Sequence, residues 1–240
     1  MNILITGGAS GLGEAITRIL AKNKAHTIYF TYSNSKHGAK IIELDFTNAL
    51  SIKCDFTNAA EVTSLVNNID NLNIDVLINN AYAGKAIHTY FHKIPYDNFK
   101  GDFINNIIPT IRITQSIIAS FRKKKKGKII TVLTSFLVNT SPLGASCYVA
   151  NKAYLESLVK SWASENIKFN ITSNSVSPGF MRTGLTSEVD ERIIEKMISD
   201  HPLKKILTVE EVAETVLYLT MVTSQINGVD IILNAGTNIK

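Results

Sequence analysis

Tyr148 and Lys152 stand four residues apart in a segment of helical pattern, so they share one face. A tyrosine ionises near pH ~10, too high for easy proton exchange at neutral pH. A lysine ammonium beside it would favour the phenolate and lower that value. The pair would then be an acid–base group. Taken alone, Y-x-x-x-K is common in helices and says little. Ser135 gives it company: it ends an apolar strand thirteen residues upstream, and strand C-termini line the ligand crevice in open α/β sheets.

A second pattern lies at the start of the chain. Thr6-Gly7-Gly8-Ala9-Ser10-Gly11-Leu12-Gly13 joins an apolar strand to a helical segment. Residues without Cβ let the backbone approach a pyrophosphate, and a helix N-terminus offers the anion unpaired N–H groups. In a strand–turn–helix context this favours a dinucleotide over a plain turn. NAD-selective folds place an Asp or Glu about 20 residues further on. Here no carboxylate occurs between Glu14 and Glu43, and the second strand ends Tyr32-Ser33-Asn34-Ser35-Lys36-His37. Hydroxyls, an amide and nearby cations tolerate a 2′-phosphate that a carboxylate would repel, so the pattern favours NADP over NAD.

Other chemistry-bearing groups fit weaker readings. His88 and His92 could share a face, but no third ligand of suitable spacing follows, so no metal is expected. Cys54 and Cys147 stand in no metal or redox spacing, and Cys147 has no base to activate it. The net charge of +5 owes much to the stretch Arg122–Lys128, which reads as a solvated helix cap rather than a nucleic-acid surface, since no aromatic-rich binding motif accompanies it.

The elements that must position these groups alternate from end to end. Strands are expected at Asn2–Thr6, Thr27–Tyr32, Ser51–Cys54, Val76–Asn79, Lys128–Thr134, Ile171–Val176 and Val229–Leu233. Helices are expected to about Ala21 and over about Ala60–Ile69, Tyr96–Lys126, Tyr148–Glu165 and Val209–Thr220. Short apolar strands alternating with helices predict a single-domain, doubly wound parallel sheet of Rossmann-like type, with helices on both faces. With 240 residues, 45% of them hydrophobic, and no composition break, one domain over 1–240 is expected, and disorder is excluded. No stretch has the form of a leader or membrane span, which predicts a cytoplasmic protein with reduced thiols.

Together these residues resemble the short-chain dehydrogenase/reductase family, and within it the 3-oxoacyl-acyl-carrier-protein reductases. The resemblance runs through the Thr6–Gly13 turn, Asp55, Asn79-Asn80-Ala81, Asn106, Ser135, Tyr148, Lys152, Pro178-Gly179 with Thr183, and Asn234-Ala235-Gly236. It implies that Tyr148 gives a proton to a ketone as hydride arrives, that Lys152 lowers its pKa and holds the nicotinamide ribose, and that Ser135 orients the substrate oxygen. Asn106, with Asn105 as a rival, would position a water linking Lys152 to solvent. Cofactor contacts are implied for Gly7, Ser10, Gly11, Leu12 and Gly13; for Ser33, Asn34 and Ser35; for Asp55 and Phe56 near the adenine; for Asn80 and Ala81; and for Pro178, Gly179, Met181 and Thr183 toward the nicotinamide. Two departures stand out: Tyr82 is where the family's N-N-A-G has glycine, and Ala235 replaces the first glycine of the final pair.

The segment at about 184–207 corresponds to the family's substrate lid. Its Val189, Ile193 and Met197, with Ile194 and Ile198, fit equally a lid over an apolar substrate or a helix packed on the body. Lys124, Lys125 or Lys126 would meet an acidic acyl carrier protein, and the chain would form a homotetramer through the helices near Tyr96–Lys126 and Tyr148–Glu165. The expected activity is NADPH-dependent reduction of a 3-oxoacyl thioester. An alcohol, sugar or polyol dehydrogenase, and a non-catalytic dinucleotide sensor or scaffold, are the alternatives.

Overall fold

The computed structural model describes residues 1–84, 89–138 and 141–237. Among the described residues, seven strands form one sheet: β1 (Asn2–Ile5), β2 (Thr27–Tyr32), β3 (Ala49–Lys53), β4 (Val76–Asn79), β5 (Gly127–Val132), β6 (Ile171–Pro178) and β7 (Asp230–Leu233). Their order is β3-β2-β1-β4-β5-β6-β7 and every pairing is parallel. The order reverses between β1 and β4, which opens a crevice at the strand C-termini.

Alternation along the strands divides the core into two layers. Ile3 and Ile5 of β1, Val76 and Ile78 of β4, and Ile130 and Val132 of β5 pack under α1 (Gly11–Ala21) and α7 (Val209–Met221). Leu4, Leu77 and Ile129 point the other way, into α3 (Ala59–Leu72), α4 (Tyr96–Lys124) and α5 (Ser146–Asn166). Each strand is therefore apolar on both sides, as a sheet covered on both faces requires.

One helix is absent from the sequence-based expectation. Residues after β2, where no helix is expected, form α2 (Lys36–Asp45), of which only Ala39 and Ile42 are buried. Two anchoring residues in ten leave little periodic signal. The segment expected as a lid carries a short 3₁₀ turn, Gly184–Thr186, and α6 (Glu191–Asp200). Strand β5 stops at Val132, two residues short of its expected end, and β6 continues two residues further, to Pro178.

Candidate active site

A cleft of about 770 Å³ runs along the strand C-termini. One end is the Gly-rich turn. Gly7 adopts φ +66°, a conformation that only glycine takes without strain, and a Cβ at Gly13 would lie 1.9 Å from the Gly7 carbonyl oxygen. Asn80 ties this turn to β4: its Nδ2 donates to the carbonyls of Thr6 and Gly7, each at 3.0 Å. Thr6 Oγ1 accepts the N–H groups of Asn80 and Ala81. Asn80 thus spends its amide on shaping the turn, although it and Ala81 both line the cleft. Ser10 sits extended at the N-terminus of α1 with no side-chain cap, so the first helical amides have no partner within the helix.

Gly7, Ser10, Gly11, Leu12, Gly13, Ser33, Ser35, Asp55 and Phe56 all line this part of the cleft. Asn34, between Ser33 and Ser35, is exposed in the turn that leads into α2. Thr57 donates to Asp55 through both its hydroxyl and its N–H, and this holds the Asp55 carboxyl below its ordinary range.

The other end holds Tyr148 and Lys152 of α5, beside Pro178, Gly179, Met181 and Thr183. Lys152 is 4% exposed and its Nζ donates to the Val132 carbonyl at 2.7 Å. Burial pushes it down to about 8. Burial also pushes Tyr148 up to about 12, opposed by the nearby Thr134 side chain. The Tyr148 phenol, half-buried on the cleft wall, is thus raised in the protein alone, and the Lys152 ammonium, 5.8 Å from the Tyr148 ring centre, is directed at a carbonyl.

Thr134 lines the cleft wall that carries Tyr148. Because β5 ends at Val132, the chain leaves the sheet with Thr134 on the cleft wall and turns at Ser135 into a 3₁₀ turn. Ser135 faces an adjoining cavity of about 350 Å³, with Phe180, His201 and Leu207. Thr134 escaped the sequence reading because the motif spacing counted back from Tyr148 lands on its neighbour. Asn106 is also off the cleft. Its Oδ1 accepts from the Ala83 N–H at 2.6 Å and its Nδ2 donates to Asp102 Oδ1 at 3.0 Å, so its amide is engaged by protein groups.

Val189, Ile193 and Met197 line the cleft while Ile194 is buried, so the loop before α6 and α6 itself turn an apolar stripe to the cavity. The basic stretch lies at the opposite edge of the sheet, where β5 begins. Lys124 donates to the Ile74 carbonyl at 2.6 Å and pairs with Asp75 at 3.0 Å; Lys128 donates to the Thr220 carbonyl at 2.8 Å. Arg122 bonds Asn166 and lies over the Phe169 ring. Lys124, Lys128 and Arg122 pin corners together at the far end of the strands, away from the mouth of the cleft, while Lys125 and Lys126 are exposed. His88 lies outside the described residues. No described helix is long and apolar enough to cross a membrane.

A doubly wound sheet with a glycine cradle at one end of its crevice and a tyrosine–lysine pair at the other defines a dinucleotide-dependent oxidoreductase. The family model described as enoyl-(acyl carrier protein) reductase matches residues 7–238. A 3-oxoacyl-[acyl-carrier-protein] reductase of Buchnera aphidicola is 31% identical over 219 residues, 90% of this chain and 88% of the relative. The carbonyl reductase family member 4 of Xenopus laevis is 30% identical over 90% of this chain and 89% of its own. A solved short chain dehydrogenase/reductase family protein superposes with a TM-score of 0.85 at 26% identity, covering 98% of this chain and 96% of that one. The chain belongs to the short-chain dehydrogenase/reductase family and is an NAD(P)-dependent oxidoreductase.

Proposed function

We propose that the protein is an NADPH-dependent reductase of a ketone borne on a 3-oxoacyl thioester, with Tyr148 as the general acid. The observation that carries this reading is a phenol, a hydroxyl and a buried ammonium on one wall of a cleft that ends in a glycine cradle. The cradle suits a dinucleotide: a Cβ at Gly13 would close it, and the amides of Gly11, Leu12 and Gly13 would hold the pyrophosphate. Asp55 and Phe56 would flank the adenine; Pro178, Gly179, Met181 and Thr183 would hold the other end. When bound, a reduced nicotinamide supplies hydride to the carbonyl carbon. Thr134 would hold the carbonyl oxygen beside Tyr148, and Tyr148 would release its proton to that oxygen as negative charge grows on it. The Lys152 ammonium would then steady the phenolate. A phenol kept protonated by burial up to about 12 suits the reducing direction at neutral pH.

The 2′-phosphate would meet Ser33, Ser35 and the N-terminal amides of α2, with Lys36 at its start and no carboxylate from Glu14 to Glu43. The apolar stripe of Val189, Ile193 and Met197 suits an acyl chain, and the names of the reductase relatives support a carrier-bound substrate. Ile104, Ile108 and Tyr154 expose apolar surface on α4 and α5, which supports assembly into a homotetramer through those helices. The test is NADPH oxidation with a short 3-oxoacyl thioester, with NADH in parallel. Turnover with NADPH and little with NADH is expected; bound NADPH without turnover would refute the substrate class.

A further inference from the structure

Next to the Tyr148–Lys152 pair stands a polar cluster that the chemistry above does not use. Tyr82, on the loop after β4, donates its hydroxyl to Asp102 Oδ2 at 2.7 Å. Asn151 Nδ2, one residue before Lys152 on α5, donates to the same oxygen at 2.8 Å. Asn106 Nδ2 donates to Asp102 Oδ1 at 3.0 Å, while its own Oδ1 takes the Ala83 N–H. One carboxylate therefore fastens the loop, α4 and α5 together. Among the described residues its partners are neutral donors, which satisfy its lone pairs without an opposing charge.

The ring that this anchor holds is the one against Tyr148. The centres of the Tyr82 and Tyr148 rings are 5.2 Å apart at 69°, an edge-on contact. Lys152 Nζ lies 5.7 Å from the Tyr82 ring centre, so the ammonium meets an aromatic face where a counter-ion could have stood. Tyr82 itself lines the cleft. An aromatic ring with a free hydroxyl could swing about χ1; one whose hydroxyl is tied to a carboxylate bound from two helices cannot.

We propose that Tyr82, anchored through Asp102 to Asn151, is a positioning residue that fixes the Tyr148 ring and covers one side of the Tyr148–Lys152 pair. This deepens the reading of Tyr148 as the acid and rests on it. Displacing an acid by about 1 Å costs on the order of a hundredfold in rate, so an anchored neighbour is worth a measurable factor.

The test uses two variants and one readout that needs no substrate. Tyr82→Phe keeps the ring and removes the anchor; Tyr82→Gly removes the cover. In protein labelled at tyrosine Cζ with ¹³C, the Tyr148 signal is assigned by its loss in Tyr148→Phe and followed against pH. The expected result is that Tyr148 titrates at least about one pH unit earlier in Tyr82→Gly than in the natural chain, because more water reaches the phenol. For Tyr82→Phe, kcat with whichever ketone is reduced should fall about tenfold, with the KM for NADPH within about twofold. An unchanged Tyr148 titration in Tyr82→Gly would overturn the proposal, as would a Tyr82→Phe enzyme that keeps its full kcat. A chain that reduces no ketone would refute the functional reading, while the titration would still decide the role of Tyr82.

Discussion

Replacing Lys152 by methionine should abolish turnover and, at neutral pH, leave the fold as stable or more so. Burial lowers Lys152 from 10.5 to about 8. At ~1.4 kcal/mol per unit, holding it charged at pH 7 costs roughly 3 kcal/mol. Methionine removes that cost but leaves the Val132 carbonyl without its donor, a loss of about 1–3 kcal/mol. The net change at pH 7 lies between zero and about 2 kcal/mol of added stability. The pH dependence isolates the charge. Between about 8 and 10.5 the unfolded chain binds a proton at this lysine that the folded chain has already lost, so stability of the natural protein rises with pH there. Relative to Lys152→Met it should gain about 2 kcal/mol between pH ~7 and ~9.5, because all other groups cancel in the difference. Urea unfolding of both proteins at the two pH values, extrapolated to water, measures this. A difference that stays constant within about 0.5 kcal/mol, or moves the other way, refutes the claim that Lys152 is buried without a compensating charge.

Thr134→Val should lower kcat by about a hundredfold, the usual cost of losing one donor at a developing oxyanion, whereas Ser135→Ala should stay within about threefold; steady-state kinetics of the two separate the adjacent hydroxyls. Ser33→Asp should raise the KM for NADPH at least about tenfold with little effect on NADH, by setting a carboxylate against the 2′-phosphate. Lys124→Ala should cost about 1–2 kcal/mol in urea unfolding, since it frees Asp75 and the Ile74 carbonyl, yet leave kcat on a carrier-bound thioester unchanged. Loss of that activity without loss of stability would make Lys124 part of a carrier dock.

The glycine turn and the Tyr148–Lys152 pair were legible because each is a local pattern whose geometry follows from one element: a helix start, and one helical turn. The sheet was legible for the same reason, as Val76–Asn79 and Thr27–Tyr32 are short apolar runs between turns. What escaped depends on where a chain leaves an element. Whether Thr134 or Ser135 faces the cleft is decided by β5 ending at Val132, and a strand end shifted by two residues has almost no sequence signal. Helix α2 escaped because its burial is slight. The partnership of Tyr82 with Asp102 joins residues twenty apart through a loop, and no periodicity announces it. The lysine run was legible as a helix cap, but composition gives its charge and not the carbonyls that Lys124 and Lys128 bind.

The tying of the glycine turn has a consequence for how binding energy is distributed. The N–H of Gly8 donates to the Thr31 carbonyl at 2.8 Å and that of Gly7 to Thr31 Oγ1, while the Asn80 amide closes the opposite side onto β4. The loop is thus sewn to strands on both flanks and shares the opening free energy of the sheet instead of fluctuating as a surface turn. A nucleotide arriving there has little ordering entropy to supply, so differences in affinity among dinucleotides should arise at the far rim, where Ser33 and Ser35 stand, and not at the phosphates.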